Sequence, residues 1–123
     1  MKRANLKDMT VDELVEYFAD LAIQQDRALL LDQIGTFNRL FDKMEDVKVE
    51  LKSRSGDQRE ALLRLFQHSN AQVRLKAAKA TLAIAPIAAR EMLQTIADSK
   101  EFPQAGDAGM SLWNLDRGVF KPT

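Results

Sequence analysis

Residues 73–85 constrain this chain more than any other stretch. Placed at the helical period of about 100° per residue, Val73, Ala77, Ala80 and Ile84 fall on one side of a helix. Leu75, Ala78, Leu82 and Ala85 fall on nearly the opposite side. Only two narrow polar seams separate the stripes, Arg74 with Thr81 and Lys76 with Lys79. A helix with apolar residues front and back buries both faces. That pattern points to stacked helical layers and away from a four-helix bundle.

The flanking sequence supplies helices for such a stack. Thr10 followed by Glu13 is a capping box that opens a first helix. Val11, Leu14, Val15, Phe18, Leu21, Ala22 and Leu29 make its apolar stripe, while Asp12, Glu13, Glu16 and Asp20 face away. A break is expected within residues 26–32. Ile34, Phe37, Leu40, Phe41, Met44, Val47 and Leu51 then form a second stripe, ended by the turn residues Ser53, Arg54, Ser55 and Gly56. Asp57 with Glu60 repeats the capping pattern and predicts a third helix burying Ala61, Leu62, Leu65 and Phe66. After a polar turn at residues 67–70, Asn70 is a suitable N-cap for the two-striped fourth helix. Pro86 suits the first turn of a fifth, with Met92, Leu93, Ile96 and Ala97 inward. Pro103, Gly106 and Gly109 predict a loop over residues 102–109, with Asp107 capping a short last helix at 110–115. No strand-like alternation persists. The expected fold is all-α with about five to six helices: a flexible segment at 1–9, one helical domain at 10–117 and a tail at 118–123.

Composition narrows the chemistry. The 123 residues include no cysteine, which excludes disulfides, thiolate nucleophiles and iron–sulfur ligation. The polar N-terminus lacks the apolar core of a signal peptide, and no apolar run approaches the roughly 18 residues needed to span a bilayer. A cytoplasmic setting is the expectation. Net charge is zero but unevenly spread: residues 1–50 balance at −4, residues 51–100 at +5 and the remainder at −1. Such asymmetry suits an acidic partner or head-to-tail self-contact.

The order Ala61-Leu62-Leu63-Arg64-Leu65-Phe66, a short turn, then Val73-Arg74, Ala77-Ala78 and Leu82 resembles a HEAT repeat. In that family small alanines admit close neighbours, and the arginine braces the turn of an adjacent repeat. His68 and Asn70 stand where the family often carries acidic residues. With the segment at 102–109, the whole is similar to a small bacterial family of HEAT-like domains without assigned function, over residues 9–122. The resemblance implies a short right-handed α-α superhelix in a bacterial cytoplasm, and no activity.

Candidate sites are few. His68 is the sole histidine, and no activated nucleophile stands near it in sequence, so no catalytic, cofactor or metal site is assigned. The acidic residues of the first helix lie on a regular helix, without the wrapping loop of a calcium site. Arg64, Arg74, Lys76 and Lys79 form the positive cluster, and Trp113 is either a cap on the last apolar face or an exposed interface anchor. These five residues are the candidate partner-binding set. The expected function is a non-enzymatic protein-interaction module, its partner another protein or a second copy. Nucleic-acid binding by the basic helices and immunity-like inhibition of a toxin are the alternatives.

Overall fold

The structure, a computed structural model, describes residues 5–123. The described residues are helical throughout their regular parts and contain no strand. They form two compact units, one ending at Ala61 and the other Leu62–Thr123. Of the segment expected to be flexible, residues 1–4 lie outside the described residues.

In the first unit a 3-10 turn, Leu6–Asp8, leads into α1 (Val11–Leu30) and α2 (Ile34–Ser53). The predicted capping box is present: Glu13 N–H donates to Thr10 Oγ1 at 3.1 Å, and Thr10 N–H donates to Glu13 Oε1 at 2.8 Å. Leu14, Phe18, Leu21 and Ala22 of α1 are buried, as are Leu40, Met44, Val47 and Leu51 of α2. The two helices pack along these stripes as a hairpin. Ile34 and Phe41, expected inside, are exposed. Buried Gln25 reaches across the hairpin, its Nε2 donating to Phe37 carbonyl oxygen at 3.4 Å. The break after α1 is a Schellman turn. Gln33 N–H donates to Ala28 carbonyl oxygen at 2.8 Å and Asp32 N–H to Leu29 at 3.2 Å, with Asp32 left-handed at φ 55°. The 3-10 turn is tied to the end of α2, where Arg54 Nη2 donates to Leu6 carbonyl oxygen at 2.9 Å.

The predicted third helix differs in winding and in its cap. It is a 3-10 helix over Gln58–Gln67, entered through Gly56 and Asp57 at φ 79° and 53°. Its buried residues Arg59, Leu62 and Leu65 recur every third position, the period at which 3-10 side chains align. Asp57 does not enter a capping box with Glu60. Its carboxylate takes Arg59 Nε and Nη2 at 2.9 and 2.7 Å, and Arg59 N–H as well. This arginine, nearly buried, holds the Asp57 carboxyl below the usual carboxylate range.

The second unit holds α3 (Ala71–Ala80), α4 (Pro86–Asp98) and α5 (Gln104–Asp116). Both apolar stripes of α3 are buried: Val73, Ala77 and Ala80 on one side, Leu75 and Ala78 on the other. The helix stops at Ala80, five residues before the predicted end. Residue 85 precedes a proline and is driven from helical geometry, with Ala85 at φ −142° and ψ 63°. The Thr81 hydroxyl donates back to Ala77 carbonyl oxygen at 2.9 Å, closing the last turn. Pro86 opens α4, and Leu93 and Ile96 join Leu75, Ala78 and Leu82 in one core as expected. Helix α5 corrects the sequence reading most. It spans 13 residues, carries Gly106 and Gly109 inside it, and adds Ala108 and Leu112 to that core. Asp107 lies in its first turn instead of capping it. The helix ends in a second Schellman turn at Gly118, φ 71°, with Val119 N–H on Asn114 carbonyl oxygen at 2.9 Å.

Candidate functional site

The residues of the predicted positive cluster are placed very differently from one another. Lys76 is buried at 9% exposure. Arg74 Nη2 meets Glu101 Oε1 at 3.2 Å, bracing the turn between α4 and α5, while its Nε is buried without a hydrogen-bond partner. Lys79 Nζ meets Asp107 Oδ1 at 2.9 Å and ties α3 to α5. Arg90 pairs with Asp116, tying α4 to α5. Arg64 is exposed. Arg74 and Lys79 therefore tie α3 to the rest of the second unit, and with Lys76 buried the helix does not spread an open cationic face. Each such partly exposed pair contributes about 0–1 kcal/mol. Between α3 and α5 a buried hydrogen bond between side-chain amides adds to them, Gln104 Nε2 donating to Gln72 Oε1 at 3.0 Å.

His68 serves its turn. Its Nδ1 accepts Asn70 N–H at 3.0 Å, and Asn70 Oδ1 in turn accepts Gln72 and Val73 N–H at 2.8 and 3.1 Å. That places the imidazole among the groups that cap α3. Among the described residues no group of three or more His, Asp or Glu is arranged to hold a metal ion. No helix among them is long and apolar enough to cross a membrane. A shallow groove of about 320 Å³ lies between the α3–α4 turn and the end of α5, lined by Leu82, Ala83, Pro86, Arg90, Leu115 and Pro122. Its lining offers apolar contact and one guanidinium already engaged by Asp116, with no nucleophile beside a base.

The remaining feature is the outer face of α5. Ala105, Ala108 and Leu112 point into the core. On the opposite side Gly106, Met110, Trp113 and Arg117 follow one another at i, i+4, i+7 and i+11, a single longitudinal stripe. Met110 and Trp113 are 61% and 58% exposed. The Arg117 guanidinium lies 5.5 Å from the Trp113 ring centroid, within cation–π range. A Cβ built at Gly106 or Gly109 meets nothing within 4 Å, so the backbone is open to an approaching surface there. Of the predicted partner-binding residues, Trp113 thus lies apart from the others and exposed, not capping a core. Sequence reasoning did not find its stripe, because two glycines and a proline made residues 102–109 read as a loop. The stripe's spacing is nonetheless written in the sequence once a helix is drawn through them.

Comparison with known proteins gives a family and a fold. The crystal structure of the protein RPA1889 from Rhodopseudomonas palustris CGA009 is 57% identical, superposes with a TM-score of 0.94, and covers 98% of this chain and 100% of its own. No curated protein matches the chain. A family model described as a domain of unknown function, DUF2019, matches residues 12–116. The chain belongs to this DUF2019 family, a helical domain with a bacterial relative and no assigned activity.

Proposed function

We infer that this chain is a non-enzymatic protein-binding module of HEAT-like type, acting in the bacterial cytoplasm, and that the outer stripe of α5 is its contact surface. The observation that carries this reading is the exposure of Trp113 and Met110 together on one helical face, beside glycines that leave the backbone bare. Large apolar side chains standing in water favour burial against a partner, and tryptophan is among the residues that most often dominate interface energetics. The HEAT-like reading is supported by the doubly buried α3, its paired alanines, and Arg74 bracing a neighbouring turn.

Nucleic-acid binding is less well supported. Arg74 and Lys79 are engaged by acids of their own unit, and Lys76 is buried, so the phosphate contacts that drive such binding lack a ready set of donors. Catalysis is likewise poorly supported, since the His68 ring is committed to a backbone amide.

The test is affinity capture from lysate with the intact chain, Trp113→Ala and Lys79→Glu, each with and without nuclease. A stoichiometric protein held by the intact chain and Lys79→Glu, and lost from Trp113→Ala, is the expected result. Nuclease-sensitive recovery lost from Lys79→Glu would contradict the reading and favour the basic helices.

A further inference from the structure

Resting on that reading, we propose that the partner of the α5 stripe is a second copy of this chain, docked antiparallel across a two-fold axis between Gly109 and Met110. The stripe is complementary to itself in size. Reversing the helix about that axis sets residue 113 opposite residue 106 and residue 110 opposite residue 109. Trp113 then meets Gly106 of the other copy, where the space is open, and Met110 lies beside the axis against Met110 of that copy. An isologous contact demands this match of one surface to itself. With no Cβ in the way, two helices can approach to the short end of the usual 8–10 Å separation.

Charge agrees with the same orientation. Arg117 stands at the C-terminal end of the stripe, while Glu101 and Phe102 precede α5 at its other end, both exposed. Antiparallel docking sets Arg117 of one copy opposite exposed Phe102 of the other, Glu101 there being held by Arg74 of its own copy. A parallel arrangement would bring Arg117 against Arg117 and leave both tryptophans without a glycine. The α5 dipoles also oppose one another in the antiparallel pair. Size and charge therefore select one orientation.

The association is expected to be weak and reversible. A 13-residue helix is about 20 Å long, and a contact of that length covers less than the about 800 Å² per partner of a standard interface. Exposed Val119 and Phe120, just beyond the helix, add apolar area at each end.

Sedimentation equilibrium of the full chain over a wide concentration range tests this, with Gly106→Leu and Trp113→Ala alongside. Gly106 is exposed, so leucine there fits the monomer and fills the slot that receives the partner's indole. The expected result is a monomer–dimer equilibrium weakened about tenfold or more by either substitution, with unchanged far-ultraviolet circular dichroism. Dimerisation undiminished in Gly106→Leu would overturn the proposal, as would a monomer at every concentration. In the monomer case, Trp113-dependent capture of a different protein would leave the protein-binding reading standing. Loss of that capture too would remove both.

Discussion

Helices α3 and α5 belong to the same unit and use their surfaces in opposite ways. In α3, seven of ten residues are buried, Lys76 and Gln72 among them. In α5, four of thirteen are buried and a whole face stands in water, carrying the largest side chain of the protein. The difference teaches where to look for function in a domain without a catalytic constellation. A helix enclosed on both sides is consumed in making the fold, and its charges serve neighbouring helices. A helix enclosed on one side has residues to offer. The cluster that looks most functional in the sequence lies mainly on the first kind of helix.

Substitutions that probe this contrast should separate cleanly by magnitude. Leu75→Ala opens a cavity in the shared core and should cost about 3 kcal/mol, while Met110→Ala on the outer face of α5 should change stability by less than about 0.5 kcal/mol. Urea titration of both variants measures the two values, and similar losses would erase the contrast. Gln104→Leu removes the buried hydrogen bond to Gln72 Oε1 at the α3–α5 contact, and about 1 kcal/mol or more should be lost. Converting Gln72 to Leu as well should recover part of it, which a double-mutant cycle would read.

A smaller effect of opposite sign is expected at Gly106. Alanine meets no neighbour there and favours the helix, so Gly106→Ala should stabilise by about 0.5–1 kcal/mol. A loop at residues 102–109 would show no such gain. The smallest effect concerns acid. The Asp57 carboxyl lies below its ordinary value because Arg59 bonds it, so its contribution is present above the ordinary carboxylate range and fades as pH falls through the lowered folded value. Asp57→Asn should therefore lose stability at neutral pH and lose less on acidification than the intact chain. Parallel acid titrations followed by circular dichroism would show the two curves converging, and parallel curves would contradict the assignment.

Much of the fold is legible in the sequence because the signals are local and strong. Thr10 with Glu13, Asn70 and Pro86 each announce a helix start, and each is where the structure places one. The misreadings share a physical origin: backbone geometry adopted by residues that do not advertise it. Asp32 takes the left-handed position of a Schellman turn that glycine usually fills, so the first break carries no glycine or proline. Asp57 is a plausible cap by sequence, yet Arg59 captures its carboxylate. Gly106 and Gly109 read as loop because helix propensity penalises them. Packing of Ala108 and Leu112 against α3 and α4 offsets that penalty. Of the candidate site, the sequence singled out Trp113 but not its companions. Drawing the stripe requires knowing that the helix begins at Gln104.

Trp113 is the sole tryptophan, which makes the central claim directly measurable. Its emission at high dilution, with acrylamide as quencher, reports whether the α5 face is open. Red-shifted, readily quenched emission that moves to the blue and becomes protected as concentration rises is the predicted result. Blue, protected emission that persists at the lowest concentration would mean that Trp113 packs inside the monomer, and the α5 stripe would then not be a binding surface.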